Sequence, residues 1–191
     1  MRNARSFLFL ILAGLILGYA IFLVWQRFRP NQLAFTSQTI RKELKVGRNR
    51  PIGIAIPSID IKLPIKETYV QDNNWPTSPE SVLFVKTSAI PGEHGNAILY
   101  GHNWPNLLGN LPNIQKDDLI SVLFTNGEAR TFKVTEISVV SPNQSEVLSP
   151  TSEPTITLYT CTGFLDSQRF VVHAAYEGTV LASLIPHTYT Y

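Results

Sequence analysis

The chain has 191 residues and a formal net charge of +2 at pH 7, a length typical of one domain with a short appendage. This charge is too small to favour nucleic-acid binding, and no stripe of lysine and arginine is interleaved with aromatic residues. The thirteen prolines and eleven glycines lie among many short apolar runs. They predict a β-rich domain with many loops.

The first element in chain order is an apolar helix. Residues 7–25 carry no charge and are long enough to cross a bilayer as a helix. We expect a retained transmembrane anchor, preceded by a short N-terminus (residues 1–6), and the basic residues on both sides leave its orientation undecided. A cleaved signal peptide is the alternative, because Gly18 and Ala20 are small residues at the positions that a signal peptidase needs. The anchor is favoured because the apolar run continues through Val24.

A polar, basic stretch follows at residues 26–50, and it is interpreted as a stalk. Alternating apolar and polar residues at 52–65, followed by further short apolar runs, then predict an all-β domain over residues 51–178 and a tail over residues 179–191. The predicted strands are 52–56, 59–65, 82–85, 97–101, 119–124, 131–140, 155–160 and 170–176, with a helical turn at 107–114. Eight strands with little helix predict a closed β-barrel or a sandwich, and a closed barrel leaves no sheet edge.

The only cysteine of the chain, Cys161, lies where an apolar run ends. It has no partner for an intramolecular disulfide. One interpretation is a small apolar residue packed in a strand. The other is a nucleophile, because Arg169 begins the next run and antiparallel pairing would bring its guanidinium near the sulfur. A cation there favours the thiolate and can donate hydrogen bonds to an oxyanion.

A candidate acid/base group follows a different apolar run. His102 comes directly after Gly101, and strand ends on one rim of a barrel can converge. A cysteine with a histidine is the minimum set for thiol catalysis. His94 in a turn, His173 inside a strand and His187 in the tail are weaker candidates. The sequence suggests neither a metal site nor a cofactor.

Four segments resemble the sortases, the membrane-anchored cysteine transpeptidases of bacterial surfaces. They are TLYTC (157–161), PGEHGNAILYGH (91–102), IAIPSIDIKLPI (54–65) and LPNIQKDDLISVLF (111–124). The resemblance covers about residues 51–178 and implies an eight-stranded sortase-type β-barrel. It further implies that Cys161 is the nucleophile, His102 the general acid/base and Arg169 the stabiliser of substrate or oxyanion. Thr160 would line the site and bind substrate.

The sequence departs from the family pattern at three places. Asp117 and Asp118 stand where the family commonly has Gly-Asp, and Tyr100 stands where a small residue often precedes Gly-His. The loop between Cys161 and Arg169 is also short. This last departure bears on substrate preference more than on catalysis.

The resemblance implies acyl transfer in two steps through a thioester. The partners would be the sorting-signal peptide of an exported protein, classically Leu-Pro-x-Thr-Gly, and an amino nucleophile from a cell-wall precursor or a pilin subunit. The domain would then lie outside the cytoplasm and residues 1–6 would form a short cytoplasmic N-terminus, although more basic residues follow the helix than precede it.

Two alternatives remain: another thiol endopeptidase, and a non-enzymatic surface module with a structural cysteine. The sortase interpretation expects Cys161 to be partly exposed and reactive. The structural interpretation expects it to be buried and inert.

Overall fold

Eight β-strands close into a barrel in the computed structural model, which describes residues 2–27, 33–35, 49–70 and 74–181. Their order around the barrel is β1-β2-β3-β4-β7-β8-β6-β5, and β5 pairs with β1 to close it. The strands are β1 (Pro51–Ile56), β2 (Ile61–Thr68), β3 (Val82–Val85), β4 (Asn96–Tyr100), β5 (Leu119–Phe124), β6 (Glu128–Val140), β7 (Thr155–Thr162) and β8 (Gln168–Leu181). The predicted closed barrel is confirmed, and the sandwich alternative is wrong.

The barrel interior is filled by aliphatic and phenylalanine side chains, because alternate residues of each strand point inward. We call this set the inner cluster. Its members are Ile54, Ile56, Ile59, Ile61, Ile65, Val82, Phe84, Ala97, Leu99, Leu108, Leu111, Ile114, Ile120, Val122, Phe124, Phe132, Val134, Ile156, Leu158, Phe170, Val172 and Ala174.

A second buried cluster lies on the outward face of four neighbouring strands, β3, β4, β7 and β8. We call it the outer cluster. Its members are Leu33, Phe35, Trp75, Leu83, Val85, Ile98, Tyr100, Val140, Leu148, Tyr159, Cys161 and Val171. Four of them, Leu33, Phe35, Trp75 and Leu148, belong to no strand. An outward sheet face is therefore buried by chain from outside the barrel.

Several strand boundaries differ by a few residues from the sequence prediction; β2, for example, begins at Ile61 and not at residue 59. Strand β8 continues to Leu181, past the predicted domain end at residue 178, because it pairs with a long β6 that starts at Glu128. The predicted helical turn is a 3-10 turn at Leu111–Asn113. Asp117 has a φ of 73°, in the left-handed region that favours glycine, which explains why the family commonly has glycine there.

The N-terminal region is described in part. Helix α1 runs over Arg2–Arg27 and includes the whole predicted anchor, whose side chains from 10 to 25 are mostly exposed. In the described part of the chain, no helix meets the length and apolarity needed to cross a membrane. Much of the predicted stalk and residues 182–191 of the predicted tail lie outside the described residues.

Candidate active site

The cysteine and the arginine face each other across an antiparallel strand pair. Cys161 on β7 is in register with Arg169 on β8. The loop between them turns at Gly163, whose φ of 79° lies in the left-handed region. The Nη1 atom of Arg169 donates hydrogen bonds of 2.9 Å to the carbonyl oxygens of Asp166 and Gln168. The loop carbonyls therefore hold the guanidinium beside the cysteine.

The histidine reaches the same level of the barrel through a parallel strand pair. Strands β4 and β7 run in constant register, with Tyr100 opposite Tyr159, an offset of 59 (159 − 100). His102 and Cys161 have the same separation (161 − 102 = 59), so the two residues would lie side by side if this register continued past the end of β4. The imidazole stacks on the Trp104 ring at 4.4 Å between centroids, and this contact orients the ring.

Thr160 precedes Cys161 in β7. Side chains alternate along β7, so Thr160 points to the opposite face from Cys161 and Tyr159. Its hydroxyl is fully buried and donates a 2.8 Å hydrogen bond to the carbonyl oxygen of Gly101. The prediction that Thr160 binds substrate stays a prediction. Its hydrogen bond ties β7 to the residue before His102 and so positions the histidine.

A three-residue segment lies over the site, and we call residues 33–35 the covering segment. Its main chain is held by two donors from the barrel. The Tyr159 hydroxyl donates a 3.1 Å hydrogen bond to the carbonyl oxygen of Leu33. The Nη2 atom of Arg169 donates one of 3.0 Å to the carbonyl oxygen of Ala34. This stretch was predicted to belong to a polar stalk, but here it is docked on the barrel.

The covering segment is also held by an aromatic contact. The ring of Phe35 packs edge-on against Tyr159, with centroids 5.1 Å apart, and tilted against Trp75, at 6.3 Å. The guanidinium carbon of Arg169 lies 6.0 Å from the same ring. Edge-to-face pairs of this kind add to the free energy of burial. Phe35 therefore anchors the segment directly over the site.

The site is closed to solvent as a result. The exposed fraction is 2% for Cys161, 4% for Arg169 and 6% for His102. Burial raises the pKa of the Cys161 thiol to about 12, although Arg169 opposes the rise. The expectation of a partly exposed cysteine is therefore wrong for this conformation. The reason is the covering segment, since the strand-end position itself is as predicted.

One donor of Arg169 has no partner in this conformation. Among the described residues, nothing accepts a hydrogen bond from its buried Nε. A buried donor without an acceptor is costly, so structures rarely retain one without reason. The Nε of Arg169 is thus available to a group that enters beside Cys161.

His94 and His173 take no part in this arrangement. His94 is exposed and bonds to the Ser152 carbonyl at 3.1 Å. His173 bonds through Nδ1 to the Thr157 hydroxyl at 3.0 Å, and burial lowers its pKa. His187 lies outside the described residues. Within the described ranges, no group of three or more His, Cys, Asp or Glu could hold a metal ion.

The sequence reasoning missed four residues of the site: Leu33, Phe35, Trp75 and Tyr159. Leu33 and Phe35 are isolated apolar residues in a polar stretch, a weak signal that gives no information about what they contact. Tyr159 carried a stronger signal, because a bulky residue two positions before Cys161 must lie on the same face of the strand.

Similarity to known proteins agrees with this geometry. A family model described as a sortase domain matches residues 54–177. Sortase A of Bacillus anthracis is 29% identical over 155 residues, which cover 79% of this chain and 69% of that protein. Sortase A of Streptococcus agalactiae serotype III (strain NEM316) is also 29% identical over 155 residues, with 76% and 61% covered.

A similar solved structure is that of sortase A from Corynebacterium diphtheriae, with 30% identity and a TM-score of 0.59. The match covers 72% of this chain and 64% of that one. The chain thus spans less than two thirds of the length of the Streptococcus and Corynebacterium proteins. It spans slightly more of the Bacillus protein.

Proposed function

The chain belongs to the sortase family, and on that premise we propose that it is a cysteine transpeptidase with Cys161 as its nucleophile. The observation that carries the proposal is the arrangement at one rim of the barrel. Cys161 is in register with Arg169, and the constant register of β4 and β7 brings His102 to the same level. In this proposal the nucleophile, the acid/base group and the cation come from three strand ends.

The proposed reaction has two steps. The Cys161 thiol gives its proton to His102, and the thiolate attacks the scissile carbonyl of a peptide. The C–N bond then breaks, His102 returns the proton to the leaving amine, and a thioester remains on Cys161. An acceptor amine attacks the thioester, which forms a new amide and regenerates the thiol.

Arg169 is proposed to stabilise the oxyanion of both steps. Its Nη1 atom is engaged by loop carbonyls, whereas its Nε has no acceptor among the described residues. A donor that waits unpaired in a buried site needs no reorganisation when the charge develops on the substrate oxygen. The guanidinium also favours the thiolate once the covering segment has left.

The proposed substrate is the C-terminal sorting signal of an exported protein, of the Leu-Pro-x-Thr-Gly type, and the acceptor is an amine of a cell-wall precursor or a pilin subunit. Membership of the sortase family supports this substrate class. The burial of Cys161 adds a condition. The peptide must arrive after, or together with, the departure of residues 33–35.

The test is thioester formation with a library of peptides that carry sorting signals at their C-terminal ends, read as an increase in the mass of the full chain. We expect one peptide class to acylate the protein, and Cys161→Ala to abolish the adduct. His102→Ala should leave the fold intact and strongly slow the reaction. Adducts that persist in Cys161→Ala would show that another group reacts and would refute the proposal.

We also propose that helix α1 attaches the enzyme to the membrane, with the barrel outside the cytoplasm. Support comes from exposed apolar side chains such as Leu15 and Leu17. The double variant Leu15→Arg, Leu17→Arg should release the protein from washed membranes, because each arginine is costly in lipid. Protease added to intact protoplasts should digest the barrel. Retention of the double variant in washed membranes would refute attachment through α1. Protection of the barrel from the protease would refute its position outside the cytoplasm.

A non-enzymatic role with a structural cysteine is the second candidate, and the 2% exposure of Cys161 favours it. A structural cysteine in an apolar cluster needs neither an adjacent cation nor a histidine. The position of Arg169 opposite Cys161 therefore weighs towards the enzyme. The two candidates differ in whether the thiol reacts once the covering segment moves.

A further inference from the structure

The covering segment is bound through its main chain. Two successive carbonyl oxygens, those of Leu33 and Ala34, accept hydrogen bonds from side chains of the barrel, Tyr159 and Arg169. A carbonyl oxygen is common to every residue type, so these two donors would hold any peptide backbone in the same place. The surface beneath residues 33–35 is thus equipped to bind peptide main chain.

The same surface is the one that a substrate must use. Arg169 is in register with Cys161, and its Nη2 is occupied by Ala34. A peptide that presents its scissile carbonyl to the sulfur therefore has to replace the covering segment. The outgoing segment leaves two donors, Nη2 of Arg169 and the Tyr159 hydroxyl, that need new acceptors.

The spacing along β7 suits an extended peptide. Tyr159 and Cys161 lie two residues apart on the same face of the strand, which corresponds to ~7 Å at about 3.3 Å per residue. An extended peptide has the same repeat. When its scissile carbonyl lies at Cys161, a carbonyl about two residues away lies beside the Tyr159 hydroxyl.

The Tyr159 hydroxyl keeps its proton and remains a hydrogen-bond donor. It is fully buried, and burial, together with the neighbouring Tyr100, raises its pKa well above the ordinary value, so the phenol keeps its proton. Tyr100 stacks on it with centroids 5.5 Å apart, which fixes the ring. The hydroxyl is thus held in one position whether or not the covering segment is present.

On the basis of the proposed function, we propose that Tyr159 is a substrate-binding residue whose hydroxyl donates a hydrogen bond to a backbone carbonyl of the peptide, in the place where Leu33 is now held. The covering segment and the substrate use the same donor. The substrate that fits is an extended peptide with an apolar side chain, because Trp75 and Tyr159 form the walls that now enclose Phe35.

The test has to separate the effect of Tyr159 on the covering segment from its effect on the substrate. Alkylation of Cys161 by a small reagent such as iodoacetamide and acylation by a peptide both require the uncovered site. The ratio of the two rates therefore does not depend on how often residues 33–35 leave. The peptide is the one that acylates the native chain fastest in the library.

In Tyr159→Phe, alkylation should become faster, because the covering segment loses one hydrogen bond. The ratio of acylation to alkylation should fall about fivefold, the factor that corresponds to about 1 kcal/mol for one hydrogen bond. The fall should be in KM, with kcat little changed, because the bond is present before and during the reaction. Far-UV circular dichroism should show an intact barrel.

Tyr100→Phe is the matched control, since its hydroxyl donates to the carbonyl of Pro76 at 2.8 Å and does not bond to the covering segment. The ratio of acylation to alkylation in Tyr100→Phe should equal that of the native chain. An unchanged ratio in Tyr159→Phe, with acylation still present, overturns this inference alone. If no peptide acylates the native chain while Cys161 is still alkylated, the proposed function fails and this inference fails with it.

Discussion

The inner and outer clusters lie on opposite faces of the same strands but are closed in different ways. The inner cluster is enclosed by the barrel itself, whose strands pair all the way round. The outer cluster is enclosed by residues 33–35 and by Trp75, none of which belongs to a strand. Exposing the first requires unfolding, whereas exposing the second requires only that a short segment detaches.

The difference between the two clusters matters for Cys161. Cys161 lies in the outer cluster, so the proposed nucleophile is buried by the removable part of the molecule. Local opening of this kind costs less free energy than global unfolding. The fold can therefore keep a thiol hidden without making it inaccessible to a substrate that competes for the same place.

The largest expected effect separates the two clusters by stability. Phe132→Ala in the inner cluster should lower the free energy of unfolding by ~3–5 kcal/mol, because it leaves a cavity that the barrel cannot collapse. Phe35→Ala should cost at most about 2 kcal/mol, because the loss is limited by the docking free energy of the covering segment. Urea unfolding followed by far-UV circular dichroism measures both, and equal losses would contradict the comparison.

The next effect concerns function on the outer face. Arg169→Lys should slow thioester formation about 100-fold, because an ammonium cannot reproduce a planar fork of donors. Arg130→Lys is the matched control, since Arg130 also donates to a carbonyl, that of Pro91, but on strand β6. Acylation rates that fall equally in both variants would mean that Arg169→Lys slows the reaction only by destabilising the fold.

The third effect is a pH dependence of the covering segment. The covered thiol has a pKa raised to about 12 from an ordinary value of 9.0. The covered form thus binds the proton more tightly, and its stability is complete below pH 9 and is lost as the pH rises from 9 towards 12. The alkylation rate of Phe35→Ala relative to the native chain should be constant below pH 9.

Above pH 9, that relative rate should shrink about tenfold per pH unit, because the native chain gains both thiolate and open site. Iodoacetamide rates from pH 7 to 10.5 measure it. A relative rate that stays constant over the whole range would mean that the covering segment does not influence the pKa of Cys161.

The smallest effect is expected at an aromatic residue that lies near the site but outside both clusters. Phe164 follows Cys161 in the short loop and is 81% exposed. Phe164→Ser should change the free energy of unfolding by less than about 0.5 kcal/mol. It should also leave the alkylation rate of Cys161 unchanged. A large change in either measurement would show that Phe164 packs as part of the outer cluster.

The barrel could be predicted because its strands alternate on the period that a two-faced sheet requires. The placement of His102 beside Cys161 could be anticipated only as a convergence of strand ends. The structure supplies the reason, a β4–β7 register with the same offset as the two residues. That register depends on strands far apart in sequence, which no local pattern encodes.

The covering segment could not be predicted for a related reason. Leu33 and Phe35 are separated by one residue in a stretch with no sustained period. Their burial depends on an aromatic wall formed by Trp75 and Tyr159, from two other parts of the chain. The wrong expectation of a partly exposed Cys161 follows from this omission.

The most direct test is the alkylation of Cys161 by iodoacetamide in the full native chain and in Phe35→Ala, at pH 7.5 and with the barrel monitored by circular dichroism. The account predicts slow alkylation of the native chain and at least a tenfold faster reaction in Phe35→Ala, since 1.4 kcal/mol of lost docking is a factor of ten. The circular dichroism spectrum should not change. Equal rates in the two proteins, or a faster rate that appears only when the barrel unfolds, would contradict it.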